Sequence, residues 1–295
     1  MKKKSVGIYY IMMLPGLAML ILFNIVPLFG IVMAFQKFSP GKGILGSPWI
    51  GLENFKFMFS MNDTWNILYN TFYIAVFKII GNLLVPLIFA LMLNEVRQMR
   101  FKRTVQTICY LPHFLSWVIL ASIMLNVFGY EGPVNSIIQF FGGDRVMFFA
   151  NEKMFPWLVI LTDIWKEYGF NAVIYLAALT SIDQALYEAA MVDGAGRWKQ
   201  LWHITLPEIR ITIVLLTVLG LGNVMNANFD QIFNLYNPLV YSTGDIIDTW
   251  VYRTGLVNLQ FSLATAVGVL KSVVGFVMIS CSYLLASKFA DYHIF

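Results

Sequence analysis

The segment at residues 187–207 reads YEAAMVDGAGRWKQLWHITLP, and it decides the fold class of this chain. The triplet that begins at Glu188 is followed after three residues by Gly194, and after nine more by an I-x-L-P pattern that begins at Ile204. Small and polar residues fill the segment, whereas long apolar stretches lie on both sides of it. We therefore expect a loop that joins two membrane-spanning helices and offers a low-profile surface to another protein.

This loop is predicted to form two short helices separated by a turn. Ser181 with Gln184 fits a capping box that starts the first helix. Gly194 suits the C-terminal cap, because glycine tolerates the left-handed conformation. Beyond the turn, apolar residues recur at helical spacing until Pro207 ends the second helix.

The composition of the 295-residue chain excludes an ordinary soluble domain. Hydrophobic residues make up 59% of it and charged residues 12%, and the mean hydropathy is +0.70, which leaves too little polar surface to cover a globule. A hydrocarbon core about 30 Å thick needs roughly 20 mostly apolar residues per helix. We therefore predict an all-α polytopic membrane protein with six transmembrane helices, at residues 11–35, 69–93, 107–128, 157–180, 211–233 and 263–287.

Positive charge in the short loops predicts the orientation, because cytoplasmic loops collect Lys and Arg. In the six-span arrangement one side receives Lys2, Lys3, Lys4, Arg97, Arg100, Lys102, Arg103, Arg197, Lys199, Arg210 and Lys288. Both termini and the loop at residues 187–207 are therefore predicted to face the cytoplasm. The formal net charge of +4 is divided among several loops, which argues against nucleic acid as a partner.

The spacing E-A-A-x3-G-x9-I-x-L-P resembles the EAA loop of binding-protein-dependent ABC importer permeases at every motif position. Further blocks are similar to carbohydrate permeases of the LplB and UgpA type, the group that includes the MalF-related membrane subunits of the maltose importer. These blocks lie at residues 14–35, 47–55, 163–179 and 234–256. Together with the EAA loop they extend over most of the chain.

The resemblance implies a type I ABC importer permease fold, with residues 1–295 as a single transmembrane domain and an EAA coupling loop at about residues 181–210. It implies a second permease subunit in a heterodimer, two ATPase subunits and an extracellular solute-binding protein, all at the plasma membrane of a prokaryote. The substrate is expected to be a carbohydrate, in particular an oligosaccharide. The residues implied to couple to the ATPase are Glu188, Ala189, Ala190, Asp193, Gly194, Ala195 and Gly196.

Nothing in the sequence indicates catalysis by this chain. The stretch GVLKS at residues 268–272 has Lys and Ser but lacks the glycine cradle of a phosphate-binding loop. His113, His203 and His293 are too far apart in sequence to indicate a metal pair, and no Ser lies in a recognisable nucleophile motif. We expect a non-catalytic subunit without cofactor or metal, with ATP and Mg²⁺ held by the partner ATPases.

Polar residues at membrane depth are the candidates for a transport path, because such side chains usually face the bundle interior or a water-filled cavity. Asn223, Asn226 and Asp230 are spaced at i, i+3 and i+7, which aligns them on one face of a continuous fifth span. A sugar path also needs aromatic faces for stacking. The selected candidates are Asn82, Asp163, Trp165, Lys166, Tyr168, Asn223, Asn226, Asp230 and Lys271.

A structural role is the alternative for each of these residues. Asp163 and Lys166 are three residues apart on one predicted helix, so they can neutralise each other. Lys78 and Lys271 can neutralise an acidic sugar or pair with a carboxylate on a neighbouring span. The choice between an acidic and a neutral substrate therefore stays open.

Other functions also stay open. An ABC permease for a non-sugar solute, such as phosphate or an amino acid, shares the EAA loop. A secondary transporter uses interrupted helices, which Pro27, Pro86 and either Gly220 or Gly222 favour, but that function leaves the EAA spacing unexplained. A membrane-embedded enzyme is disfavoured because no catalytic motif is present.

Overall fold

The computed structural model describes residues 2–290, with side chains described from Tyr9 to Leu284. Within these residues the backbone forms the helices α1 to α16, which in chain order are Lys2–Leu20, Gly43–Gly46, Glu53–Ser60, Asn62–Asn94, Met99–Tyr110, Trp117–Val127, Pro133–Phe140, Phe155–Thr180, Gln184–Val192, Arg197–Gln200, Leu206–Glu208, Arg210–Gly222, Phe229–Leu235, Tyr241–Gly244, Ile247–Tyr252 and Phe261–Ala290. Further turns are of the 3₁₀ type at Val26–Phe35, Leu111–Phe114, Phe148–Ala150 and Pro238–Val240, and of the π type at Ile21–Ile25, Leu201–Thr205 and Arg253–Val257.

The chain divides into two compact units. Within the described residues, the first unit comprises 2–65 and 250–272, and the second comprises 66–249 and 273–290. The candidate cavity and the EAA loop both belong to the second unit. That all of residues 1–295 form one transmembrane domain stays a prediction.

In the first unit, short-range contacts order the glycine-rich segment that follows the first apolar helix. Asn54 Nδ2 donates to the backbone oxygens of Ala34 and Gln36 at 2.8 and 3.0 Å. The ring of Phe35 stacks on Trp49, with centroids 5.5 Å apart. These contacts satisfy backbone oxygens where the regular helix has ended.

The second unit is organised around α8, which contributes to two apolar clusters. Near its start, α8 packs with α4, α6 and α13 around Phe155, Val159 and Ile160. Near its end, it packs with the last turns of α4 around Ala172 and Tyr175. The polar residues of α8 therefore lie along the helix between two buried apolar clusters.

Three segments of the described chain are long and apolar enough to cross a membrane, at Tyr9–Phe35, Asn62–Asn94 and Phe261–Leu284. Two more qualify only as bent pairs, Met99–Phe114 with Trp117–Val127 at 103° and Arg197–Glu208 with Arg210–Gly222 at 60°. The fourth predicted span is the continuous 26-residue helix α8, which is long enough but carries the charged residues Asp163, Lys166 and Glu167. The all-α prediction is confirmed, and each predicted span has a helical counterpart.

The third predicted span, residues 107–128, is not one straight helix. Pro112 lies in the 3₁₀ turn Leu111–Phe114, where it supplies no backbone donor. Ser116 then adopts an extended backbone, and its Oγ accepts a hydrogen bond from the Ile119 amide at 3.4 Å to begin α6. The proline and the new N-cap together explain the sharp bend.

The fifth predicted span, residues 211–233, is also interrupted. Helix α12 ends at Gly222, and α13 begins only at Phe229. Asn228 has a φ of 72°, and its side chain accepts from the Gln231 amide at 3.3 Å to cap α13. Asparagine is among the few residues that visit this left-handed region routinely. The prediction of one continuous helix, and with it the single-face stripe, is therefore wrong.

Candidate functional site

The EAA loop begins with α9, whose N-cap is Asp183. The Asp183 Oδ1 accepts a hydrogen bond from the Ala185 amide at 2.9 Å, which satisfies a free donor of the first turn. The predicted capping box of Ser181 and Gln184 is therefore wrong. Ser181 Oγ instead donates to the last turn of α8 at 2.7 Å.

Helix α9 ends in a left-handed glycine, as the sequence predicts. Gly194 has a φ of 74°. The Ala195 amide donates to Ala190 O at 2.8 Å, and the Gly194 amide donates to Met191 O at 3.1 Å. These are the two hydrogen bonds of a Schellman motif, so the turn that carries the EAA residues has a defined backbone shape.

The predicted coupling residues form an accessible surface. Glu188, Ala189, Asp193, Gly194 and Gly196 are exposed, whereas Ala190 and Ala195 are half-buried. Two apolar side chains of the loop extend this surface, since Val192 is 88% and Trp198 74% exposed. Large exposed apolar side chains among polar neighbours make this surface a candidate for a protein interaction site.

Polar contacts connect the second part of the loop to itself and to α4. The Arg197 guanidinium lies 3.0 Å from the Glu95 carboxylate just after α4. The hydroxyls of Tyr187 and Thr205 are 2.9 Å apart, which ties the two halves of the loop together. The loop is thus held in one shape by several bonds, although exposed ion pairs each contribute little.

A cavity of about 650 Å³ lies between α4, α8, α12 and the break before α13. Five of the predicted path residues line it, namely Asn82, Asp163, Asn223, Asn226 and Asp230. The break places the last three beside the cavity without a shared helical face. These five candidates therefore meet at one cavity, but the interruption of the fifth span brings them there instead of a shared helical face.

Asp163 is in contact with two residues of α4 and with one residue of the break. Lys78 Nζ on α4 lies 3.3 Å from Asp163 Oδ1, and both side chains are largely buried. Asn82 Nδ2 donates to Oδ2 at 3.0 Å, and Asn228 Nδ2 lies 3.3 Å from Oδ1. Asp163 is thus neutralised by Lys78 on another helix, not by Lys166 on its own helix.

The same lysine holds the backbone of the break. Lys78 Nζ donates to Ala227 O at 2.8 Å and to Gln231 Oε1. The Gln231 Nε2 in turn donates to Val159 O at 2.7 Å and to Thr162 Oγ1 at 2.9 Å. A hydrogen-bonded buried polar network rigidifies the segments around it. Here it fixes the break against α4 and α8.

A second polar cluster lies on α8 one turn further along. Lys166 Nζ donates to Glu167 Oε1 at 2.8 Å and to His113 O at 2.9 Å. His113 Nδ1 is 2.6 Å from Glu167 Oε2, and its ring stacks on Phe170 at 3.9 Å between centroids. This cluster attaches the bend between α5 and α6 to α8.

The remaining predicted path residues do not line the cavity. Trp165 is 44% exposed on another face of α8, and Tyr168 bonds through its hydroxyl to Cys109 Sγ at 3.1 Å. Lys166 is buried in the cluster with Glu167. Lys271 belongs to the first unit, and its role in the path stays a prediction.

Four polar residues outside the nine selected candidates also line the cavity, namely Lys78, Glu167, Asn171 and Asn228. A signal for two of them was present in the sequence. Asp163, Glu167 and Asn171 are spaced by four residues, which places them on one face of a helix. Asn228 had no such signal, because its position depends on the left-handed backbone of the break.

The chemistry of the cavity is that of hydrogen bonding to a polar ligand. Amides and carboxylates from three helices face a space large enough for a sugar. Among the described residues, no group of three or more His, Cys, Asp or Glu could hold a metal ion. His293 lies outside the described residues.

Comparisons with known proteins agree with this geometry. A family described as "Binding-protein-dependent transport system inner membrane component" matches residues 82–290. The polygalacturonan/rhamnogalacturonan transport system permease protein YteP of Bacillus subtilis (strain 168) is 45% identical over 285 residues, which cover 96% of this chain and 88% of that protein.

Solved structures extend the likeness to the whole fold. A chain of a bacterial ABC transporter involved in the import of the acidic polysaccharide alginate superposes with a TM-score of 0.91 and 36% identity, covering 97% of both chains. A chain of a bacterial alginate ABC transporter in complex with an alginate pentasaccharide-bound periplasmic protein has a TM-score of 0.91 and 34% identity, covering 99% of this chain and 98% of that one.

Proposed function

Because the chain belongs to the family of binding-protein-dependent transport system inner membrane components, we propose that it forms one half of the translocation pathway of an ATP-driven oligosaccharide importer. The single observation that carries this proposal is the polar cavity of about 650 Å³ within the membrane-spanning helices. Polar side chains at membrane depth are costly, so a cluster of them around open space indicates a path for a polar solute. Asn82, Asp163, Asn223, Asn226 and Asp230 are its proposed residues.

The EAA loop is the proposed contact with the ATPase. Glu188 and Asp193 anchor the contact by charge, while Ala189, Ala190, Gly194, Ala195 and Gly196 let a groove of the partner close over the turn. Closure of two ATPase subunits around ATP and Mg²⁺ then pushes this turn, and α8 and α12 transmit the motion to the cavity wall. ATP shifts the gate only by the difference in its binding free energy between the two arrangements.

An oligosaccharide is the proposed substrate class. The relatives that support it carry names or titles that refer to polygalacturonan, rhamnogalacturonan and alginate. Amide and carboxylate groups of the cavity suit vicinal hydroxyls, because each can accept a hydrogen bond and the amides can also donate one. A solute-binding protein delivers the ligand to the outer mouth of the pathway.

The remaining partners follow from the same proposal. A second permease chain completes the pathway, and two ATPase subunits bind the cytoplasmic side. Both termini of this chain face the cytoplasm at the plasma membrane of a prokaryote, on the side that carries the EAA loop. This chain itself is a non-catalytic subunit that binds no nucleotide.

Transport by the reconstituted complex tests the proposal. The chain, the second permease, the ATPase subunits and the solute-binding protein are assembled in vesicles whose proton gradient is collapsed. Uptake of an oligosaccharide is expected only when ATP is on the side of the ATPases and the binding protein is on the other. Uptake that follows a proton gradient and continues without the ATPase subunits contradicts the proposal.

A further inference from the structure

The charge of the cavity wall bears on which sugar this half of the pathway accepts. Four charged residues line the cavity, namely Lys78, Asp163, Glu167 and Asp230. One ammonium group and three carboxylates therefore surround the same space. Which of these charges a ligand can reach depends on the internal bonds that each of them already makes.

The ammonium group of Lys78 is not available to a ligand. A lysine has three N–H donors. Those of Lys78 are directed to Ala227 O at 2.8 Å, to Gln231 Oε1 and to Asp163 Oδ1 at 3.3 Å. The residue is only 5% exposed. Lys78 therefore has no donor left for a sugar carboxylate, and its charge is balanced by Asp163.

The charge of Glu167 is balanced by Lys166, which does not line the cavity. Lys166 Nζ donates to Glu167 Oε1 at 2.8 Å and to His113 O at 2.9 Å, and it lies 5.7 Å from the centre of the Trp117 ring. Glu167 Oε2 is 2.6 Å from His113 Nδ1. Both carboxylate oxygens of Glu167 are thus engaged, and Lys166 is buried away from the cavity.

Asp230 is the charged lining residue that keeps its side chain for a ligand. It is exposed to the cavity on the first turn of α13. Its carboxylate makes no hydrogen bond or ion pair with any residue in the described part of the chain, and the bond that the Asn234 side chain donates to Asp230 goes to its backbone oxygen. Asn171, Asn223 and Asn226 line the same cavity beside it.

We propose that Asp230 is a specificity-determining residue that selects a neutral sugar unit at this position of the pathway. This inference rests on the proposed function as an oligosaccharide permease. Sugar hydroxyls donate hydrogen bonds to the carboxylate, which is an acceptor only. A uronate unit at the same place sets two carboxylates against each other. Lys78 is the cation that lines the cavity among the described residues, and its donors are already engaged. Such a like-charge contact is costly in a partly desolvated cavity.

Asp230 sets the preference for a sugar unit at one position of the pathway, not for the whole ligand. An oligosaccharide that contains both neutral and acidic units is accepted when a neutral unit lies against Asp230. A chain of uronates alone has no such unit to offer, so this preference distinguishes the chain from relatives whose names or titles refer to polygalacturonan and to the acidic polysaccharide alginate. The two kinds of ligand are therefore expected to differ in their rate of passage even when the same binding protein delivers both.

A matched pair of ligands tests the inference in the complete reconstituted complex. The pair is an α-1,4-linked galacturonate trisaccharide and its carboxyl-reduced form, which differ only in the group at C6. Initial uptake rates of both are measured with the wild-type chain, with Asp230→Asn and with Asp230→Lys. Asp144→Asn, a change of an exposed loop carboxylate, serves as the control. The amount of each chain in the vesicles is measured by immunoblot.

The expected result is faster uptake of the carboxyl-reduced trisaccharide by the wild type. Asp230→Asn shifts the ratio of rates toward the uronate by about tenfold, as expected for the loss of one like-charge contact at partial burial, and Asp230→Lys inverts the preference. Asp144→Asn leaves the ratio unchanged. A ratio that stays the same in both Asp230 variants overturns the inference alone. If the wild type transports neither ligand, the proposed substrate class fails as well.

Discussion

Lys78 on α4 and Asp163 on α8 form a buried ion pair, with Nζ 3.3 Å from Oδ1 and both side chains less than a tenth exposed. The pair is not isolated, because Lys78 also donates to Ala227 O and Asp163 accepts from Asn82. It therefore joins two helices to the interrupted fifth span. A pair of charges at this depth is tolerated only because each of its members has several further partners.

Removal of one member of this pair is expected to be more harmful than removal of both. Lys78→Met leaves Asp163 buried without its cation, and such a change costs about 3 kcal/mol of unfolding free energy. Lys78→Met with Asp163→Leu removes the uncompensated charge and recovers part of the loss. SDS-induced unfolding of the purified chain measures both. Lys153→Met, at an exposed lysine, is the control, and an equal loss in that variant argues against the pair.

A second prediction concerns Asn228, the left-handed residue at the break. Asn228→Gly keeps access to a φ of 72° and loses the side-chain bonds to Gln231 and Asp163. Asn228→Val loses the same bonds and also strains the backbone, since β-branched residues avoid this region. Valine is therefore expected to reduce both stability and the transport rate more than glycine does. Equal effects of the two substitutions contradict a role of the backbone conformation.

A third prediction concerns the close approach of α5 to α8 at Gly169. A Cβ at this position overlaps the carbonyl of Cys109 and lies 3.1 Å from the Cys109 Cβ. Because backbone atoms cannot move aside like a side chain, Gly169→Ala is expected to lower the unfolding free energy by about 2 kcal/mol. Gly268→Ala, where nothing lies within 4 Å of the added atom, is the matched control. SDS-induced unfolding compares the two, and equal stabilities count against the close approach.

A fourth prediction concerns the EAA turn and its coupling to the ATPase subunits. Gly194→Asp places a side chain on a left-handed residue and adds bulk and charge to the exposed turn, and Glu188→Lys reverses the charge of the proposed contact. Both are expected to abolish ATP-driven uptake while membrane insertion continues. Membrane fractionation and vesicle uptake measure these properties separately.

A glycine elsewhere provides the control for that experiment. Gly275→Ala lies within α16, where nothing is within 4 Å of the added methyl group. Uptake by this variant is expected to match that of the wild type. Normal uptake by Gly194→Asp or Glu188→Lys shows that the turn does not transmit work from the ATPase.

The long apolar stretches of the chain predict much of the fold, because bilayer thickness imposes a minimum length on each membrane-spanning segment. Local signals predict less well where two residues compete for one role. Asp183 caps α9 in place of Ser181, since its carboxylate lies one residue before the helix and reaches the Ala185 amide. Gly194 is predicted correctly because few other residues suit the left-handed end of a helix.

The cavity is only partly predictable from the sequence, because its walls depend on long-range contacts. Asn82 and Asp163 are indicated by polarity at membrane depth alone. The break at Asn228 is stabilised by Lys78 and Asp163, which are 150 and 65 residues away in sequence. No periodicity within residues 211–233 reports such partners, so the interruption of the fifth span is apparent only in the structure.

Contact between the EAA loop and the ATPase is the central claim, and cross-linking measures it directly. A photo-activatable amino acid is placed at Ala189 on the loop or, as a control, at the fully exposed Leu45 of the first unit. After illumination of the assembled complex, position 189 is expected to form a covalent adduct with the ATPase subunit, with a yield that changes when ATP is added, whereas position 45 forms none. Absence of the adduct at position 189, or its formation with the solute-binding protein, contradicts the claim.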